Sequence, residues 1–222
     1  MRSITLSRLG LLLFAALFLV SASLKRATAD TALQSFSGGF LATSASDQLY
    51  GWEFNVLSSV NVTALGVGDN HTTPGLSVSH DVGIYRVSDQ ALLTSTTVPA
   101  GTAGILDAGF RYMTLGSSLL LTPDDYVIVM TMPMLNGDTQ SIFNTSVTTA
   151  AQIQYVTSRF DGGSTLAFPG GPGSFDKGLF GPNFQFTPAS TPEPGSIALL
   201  VGMSISGAGF LIRRRRNANE AV

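Results

Sequence analysis

Short runs of alternating or β-branched residues, separated by turn residues, fill most of the chain between residues 31 and 188. "YGWEFNV" (residues 50–56) alternates, so Trp52, Phe54 and Val56 fall on one face of a strand. "YVIVMTM" (residues 126–132) is an unbroken apolar run of the length expected for a central strand. Because almost no helical period occurs here, we expect this part of the chain to be built from strands.

These runs predict the fold class. Ser88, Asp89 and Gln90 form a turn between two of them, which predicts a hairpin. A Gly- and Pro-rich stretch at 161–178 predicts a long loop. We therefore expect an all-β fold, an antiparallel β-sandwich of jelly-roll type, over residues 30–187. The predicted strands are residues 50–56, 60–67, 80–87, 91–98, 110–115, 118–121, 126–132, 151–160 and 183–186.

The first 29 residues have the pattern of a secretory signal peptide. Arg2 and Arg8 precede an apolar run at residues 9–20, and a small-residue cleavage site follows at 27–29. An apolar run of this length is short for a membrane span, although a retained anchor is the alternative.

The last part of the chain predicts a second membrane segment. A linker at 188–195 leads to the uncharged run "SIALLVGMSISGAGFLI" at 196–212, which reaches the short end of transmembrane helix lengths. Four arginines then begin a basic tail at 213–222. Arginine is costly in hydrocarbon, so this tail is expected to remain in the cytoplasm.

The residues between the two terminal segments are strongly acidic. Residues 30–190 contain twelve acidic and four basic side chains, a net charge of −8. A charge of this sign, without a basic stripe, argues against nucleic acid as a partner. The chain has no cysteine, which excludes disulfides and thiol chemistry.

The C-terminal pattern resembles the PEP-CTERM sorting signal of exported bacterial proteins. Its three elements occur in order: Pro192-Glu193-Pro194, the apolar run, and Arg213, Arg214, Arg215 and Arg216. The resemblance implies processing near Pro192-Glu193-Pro194 by an exosortase, a membrane-embedded cysteine protease. It also implies release to the cell surface or the surrounding polysaccharide. The six residues after the arginines depart from the usual pattern.

A second resemblance covers residues 34–187. The blocks "GWEF", "VTALGV", "HDVGIYR", "TVPAGT", "GFRYMTL", "LTPDDYVI" and "FGPNFQF" are similar to a β-sandwich domain of unknown function that often precedes such tails. These blocks consist of strand and turn residues, so they imply a fold and no chemistry.

No catalytic constellation can be recognised in the sequence. The two histidines, His71 and His80, do not form a zinc-protease pair, and no nucleophile elbow occurs. Asp124 and Asp125 are adjacent, but Pro123 places them in a turn. We therefore expect no enzymatic activity and no catalytic residue.

Calcium is the best metal candidate, although no cofactor is expected. Asp69-Asn70 and Asn136-Gly137-Asp138 are oxygen-rich, yet neither has EF-hand spacing and both fit ordinary turns. Trp52 is a possible sugar platform, but its alternation with Phe54 favours the core.

Two functions remain open at this point. The leading hypothesis is a structural or interaction protein of the cell surface or extracellular matrix. The alternative is a carbohydrate-binding module for extracellular polysaccharide, which an exposed aromatic patch on a sheet face would favour.

Overall fold

The computed structural model describes residues 29–69, 75–135, 137–144, 146–172 and 178–189. The secondary-structure elements within these ranges are all β-strands, and every strand pair is antiparallel. The strands are β1 (Asp30–Thr31), β2 (Leu33–Ser37), β3 (Phe40–Ala42), β4 (Gln48–Val56), β5 (Val60–Gly68), β6 (His80–Arg86), β7 (Leu92–Val98), β8 (Ile105–Asp107), β9 (Phe110–Leu121), β10 (Asp125–Met132), β11 (Gln140–Ile142), β12 (Ser146–Thr149), β13 (Ile153–Gly162), β14 (Gly171–Pro172), β15 (Leu179–Phe180) and β16 (Pro182–Pro188).

Two larger sheets form the two layers of a sandwich-like fold. One has the strand order β1-β16-β5-β9-β8, and the other has the order β14-β13-β4-β10-β6-β7. Two smaller sheets, β15-β11-β3 and β12-β2, complete the fold. The chain crosses repeatedly between the layers, since strands distant in sequence are neighbours in each sheet.

One large apolar core joins the two layers. Trp52 and Phe54 of β4 contact Phe184 of β16, with ring centroids 6.3 and 5.0 Å apart. All three side chains are fully buried. Rings of this size bury large apolar areas, and pairing contributes about 0.5–1.5 kcal/mol beyond area burial. The alternation of "YGWEFNV" is therefore the pattern of a core-facing strand.

The other face of the six-stranded sheet is also partly covered. Residues 163–170, the cover segment, fold back across it. Leu166 lies over Gly83 of β6, and Phe168 meets Tyr85 edge-on with ring centroids 6.0 Å apart. The carboxylate of Asp161 accepts the N–H of Gly162, just before the segment, and the N–H of Gly170, its last residue. These two hydrogen bonds stabilise both ends of the cover segment. The apolar side chains of the covered sheet are Leu49, Tyr85, Val127 and Val129.

The structure confirms an all-β, antiparallel fold and corrects three details. The predicted strands at 110–115 and 118–121 are one strand, β9, which is irregular opposite β5 between Val62 and Ala64. The predicted loop at 161–178 contains β14, and its first half packs on a sheet. Eight strands were not predicted: β1, β2, β3, β8, β11, β12, β14 and β15.

The predicted terminal segments lie almost wholly outside the described residues. This applies to the signal peptide up to residue 28 and to residues 190–222, with most of the linker, the membrane helix and the basic tail. No helix of bilayer-spanning length and hydropathy occurs in the described ranges. The compact unit that holds the sheets ends at Pro188. Its core side chains run from Ala32 to Phe186, so residues 30–189 contain what a separate domain needs to fold.

Gly66 of β5 gives a first test of this packing. A β-carbon at Gly66 would overlap the ring of Tyr112 on the neighbouring strand, whereas a β-carbon at Gly116 would meet no atom within 4 Å. Gly66→Ala should therefore lower the free energy of unfolding by about 1–3 kcal/mol, as overpacking does. Gly116→Ala should change it by less than about 0.5 kcal/mol. Urea unfolding of residues 30–189 measures both, and equal effects would contradict the packing described.

Candidate functional site

The aromatic side chains with polar tips are nearly all buried. Trp52 is fully buried, as the sequence predicts, and its Nε1–H donates to the carbonyl of Pro182 at 2.9 Å. Tyr50, Tyr85, Tyr112 and Tyr126 are also buried, and Tyr155 is half-buried. These rings therefore build the core and do not form a platform for a sugar.

Two phenylalanines are the exposed aromatic residues of the described ranges. Phe40 of β3 is 57% exposed and Phe143, just after β11, is 46% exposed. Their rings stack with centroids 5.5 Å apart. Phe143 has a φ of +56°, in the left-handed region that a residue other than glycine seldom adopts. A strained exposed residue of this kind is a reason to look for a role at the surface.

A buried histidine–carboxylate pair joins β6 to the loop before β11. His80 and Asp138 are both fully buried, and Nε2 of His80 lies 2.9 Å from Oδ2 of Asp138. Nδ1 of His80 faces the carbonyl of Thr131 at 2.7 Å. Asp138 also accepts the N–H groups of Ser77 and Val78, at 2.7 and 3.1 Å. One carboxylate therefore holds together β6, the segment before it, and the loop around residue 138.

The electrostatics of this cluster favour an ionised Asp138. Burial alone would raise its pKa, but the hydrogen bonds from His80, Ser77 and Val78 outweigh burial and lower the pKa to about 2. Both ring nitrogens of His80 lie within hydrogen-bond distance of oxygen atoms, Oδ2 of Asp138 and the carbonyl of Thr131.

A second buried ion pair lies at the end of β5. Nε of Arg111 on β9 donates to Oδ2 of Asp69 at 2.6 Å, and Nη1 donates to the carbonyl of Gly104 at 3.1 Å. The N–H of Gly75 also donates to Oδ2 of Asp69. The pair thus joins β9 to the segment that follows β5 and to the segment that precedes β8. These contacts hold neighbouring segments of the fold together, which is a structural role.

A third ion pair lies on the covered face of the six-stranded sheet. Arg159 of β13 donates through Nε and Nη2 to Oε2 of Glu53 on β4. The guanidinium carbon of Arg159 lies 5.8 Å from the centre of the Phe168 ring in the cover segment. Glu53 is 8% exposed, so solvent reaches it poorly. Cation–π contact and ion pairing together fix Arg159 between sheet and cover segment.

The carboxylates considered in the sequence do not converge. Asp124, in the turn before β10, and Asp125, the first residue of β10, are both exposed. Asp124 accepts the N–H of Asp125, and Asp125 accepts the side-chain amide of Asn55. Asp69 and Asp138, from the two calcium candidates, contact different side chains, Arg111 and His80. Asn70, His71 and Asn136 lie outside the described residues.

No cluster of three or more potential metal-ligating side chains occurs in the described ranges. The seven residues of the proposed sorting motif lie outside those ranges: Pro192, Glu193, Pro194, Arg213, Arg214, Arg215 and Arg216. The geometry therefore offers two features for functional argument, the stacked pair Phe40–Phe143 and the three separate ion pairs.

Sequence reasoning missed all three ion pairs. The available signal was a charged residue inside an otherwise apolar strand, as with Glu53 in "YGWEFNV" and Arg111 in "GFRYMTL". Such a residue is rarely buried without a partner. The pattern could have predicted that partners exist, but not which residues they are.

The pKa of Asp138 predicts a loss of stability in acid. A folded-state pKa of about 2, below the ordinary value of 3.8, means that the contribution is complete above about pH 4 and is lost as the pH falls toward 2. At 1.36 kcal/mol per pKa unit it amounts to about 2 kcal/mol. Urea unfolding between pH 6 and about pH 2 should therefore show a steeper decline for the wild type than for Asp138→Ala. Parallel declines would contradict this assignment.

Neither a scan of protein-family models nor a search of curated proteins found a match to this chain.

Proposed function

We propose that this chain is an exported bacterial cell-surface or extracellular-matrix protein of structural or interaction type, sorted by a PEP-CTERM signal. The observation that carries the proposal is the order of three elements at residues 192–216: Pro192-Glu193-Pro194, an uncharged apolar run and four arginines. A signal peptide over 1–29 would direct residues 30–187 across the inner membrane. A transmembrane helix over 196–212 would then hold the precursor until an exosortase processes it.

The contacts of three ion pairs support a structural role. Each of the three buried or half-buried ion pairs ties one strand or loop to another, and the pairs lie on different elements. A hydrolytic site would instead bring ionisable groups together around a space for substrate. Within the all-β class, the topology proposed here is a jelly roll, a type of β-sandwich that many surface proteins use for binding.

A carbohydrate-binding module is the second candidate, and one observation favours it. Phe40 and Phe143 present an exposed, stacked aromatic pair, and Phe143 is held in a strained conformation. Apolar ring faces of this kind can stack on the C–H faces of sugars. The acidic charge of residues 30–190 disfavours binding to acidic polysaccharides unless calcium bridges the carboxylates of protein and polymer.

Export is tested in a bacterium that has an exosortase. The full chain should be degraded when protease is added to intact cells, because residues 30–187 would lie outside. Protection of the folded domain until the inner membrane is broken would contradict the proposal. A cytoplasmic marker protein serves as the control for lysis.

The two roles are separated by calorimetry of residues 30–189 with neutral and acidic polysaccharides. The structural role predicts at most weak binding, with acidic polymers released by chelator. The carbohydrate-binding role predicts binding to a neutral polymer that Phe143→Ser removes and chelator does not affect. Release of reducing ends from any polymer would overturn the non-enzymatic role.

A further inference from the structure

The edges of the two larger sheets differ in length. One sheet ends in β1, which has two residues, and β8, which has three. The other ends in β14, which has two residues, and β7, which has seven. An edge strand has a row of unpaired N–H and C=O groups, and very short edges limit unwanted pairing. Among these four edge strands β7 is the longest, and its seven residues can accept another strand along several positions.

The composition of β7 does not protect it. Its sequence "LLTSTTV" has no charge, proline or glycine, and three of its seven residues are threonine. Leu92 is 48% exposed, and Ser95 and Thr97 are also exposed. The register with β6 is irregular near Leu92 and regular from Thr94 to Val98. Edge strands that avoid association normally have lysine, proline or inward-pointing charges, and β7 has none of these.

The outer side of β7 is free of any hydrogen-bonded strand in the described part of the chain. β9 of the other sheet approaches β7, but no ladder joins them. The carboxylate of Asp81 on β6 contacts the strand, because it accepts the hydroxyl of Thr97 at 2.6 Å. β7 itself is therefore uncharged, although a carboxylate of the neighbouring strand lies against Thr97.

We propose that β7 pairs with β7 of a second copy of this chain, antiparallel and about a two-fold axis near Ser95. A second copy fits because a neutral strand of this kind is complementary to itself. With the axis at Ser95, Thr94 of each copy lies opposite Thr96 of the other copy, which makes two equivalent Thr–Thr pairs. Such pairs are favourable in antiparallel ladders. Pairing joins two six-stranded sheets into one continuous sheet. The inference does not depend on export or sorting.

Charge sets the expected strength of this association. Two copies carry −8 each over residues 30–190, so they repel at long range. β7 itself contains no charge, and a strand ladder makes backbone hydrogen bonds that salt screens little. The dimer should therefore be reversible and become stronger as salt is raised.

The test combines a charge variant with a matched control. In sedimentation velocity, residues 30–189 should show a mass that rises with concentration from monomer to dimer. Ser95→Lys sets two lysines opposite each other at the axis and should weaken the dimer by about tenfold or more. Gln154→Lys adds the same charge at an exposed position of β13, away from β7, and should leave the dimer intact.

Cysteine cross-linking locates the contact in the full chain. Because the native chain has no cysteine, Ser95→Cys and Gln154→Cys each introduce a single thiol. A short bis-maleimide should join two copies of Ser95→Cys, since opposite residues of an antiparallel pair lie about 5 Å apart. It should join few copies of Gln154→Cys. This readout decides the question if Ser95→Lys fails to fold.

Three outcomes would overturn the proposal. The first is a wild-type protein that stays monomeric at every concentration and salt level. The second is a dimer that Ser95→Lys leaves intact or that Gln154→Lys weakens equally. The third is equal cross-linking at positions 95 and 154, which would indicate another contact surface.

Discussion

Replacing Asp138 with alanine should lower the free energy of unfolding of residues 30–189 by about 3–5 kcal/mol, because it removes a buried carboxylate that accepts several hydrogen bonds. The change leaves the buried Nε2 of His80 and the part-buried N–H groups of Ser77 and Val78 without this acceptor. Each buried donor without a partner costs about 1–3 kcal/mol. The loss is large because one carboxylate serves three donors. Urea unfolding followed by circular dichroism measures it.

The matched control is Asp89→Ala. Asp89 is half-exposed and pairs with Arg86 at the surface, at 3.3 Å. A surface pair of this kind contributes about 0–1 kcal/mol. The account of the His80–Asp138 cluster is wrong if Asp138→Ala costs no more than Asp89→Ala.

Replacing Arg213 to Arg216 with alanine should abolish tail processing in an exosortase-containing host. The four positive charges would hold the end of the chain in the cytoplasm, and their loss removes about 2.5–3.5 kcal/mol of insertion cost per arginine. The apolar run would then lose the orientation that the protease requires. Immunoblots of cell fractions should show the unprocessed precursor accumulating.

Replacing the same four arginines with lysine separates charge from arginine-specific recognition. Lysine keeps the charge and the insertion cost, so an orientation effect predicts normal processing in this variant. Normal processing in the alanine variant would contradict the sorting proposal itself. Failure of both variants would indicate that the protease reads the guanidinium groups.

The long strands could be predicted from the sequence, and the short ones could not. β4 and β10 are long enough for alternation or an apolar run to exceed chance, and their core positions follow from that pattern. β3 and β11 have three residues each, too few to show a period. They exist because the chain brings them together, with Phe40 opposite Ile142. Tertiary contact, rather than local sequence, makes these strands.

The pairing of buried polar side chains could be predicted from the sequence even less well than the short strands. His80 and Asp138 are 58 residues apart, and Asp69 and Arg111 are 42 apart. The sequence predicts a strand that begins at His80, and β6 begins there, but the sequence does not identify the partner of the side chain. Which carboxylate reaches which cation depends on strand order and register. Those are properties of the folded sheet and leave no local pattern.

The most direct test of the central claim is the mass of the mature protein. The full chain is expressed in a host with an exosortase, purified from the cell surface or the medium, and analysed by intact mass and C-terminal peptide mapping. The sorting account predicts a mature chain that begins near Asp30 and ends near Pro192-Glu193-Pro194, without the apolar run and the arginines. A mature chain that still contains residues 196–222 would contradict it.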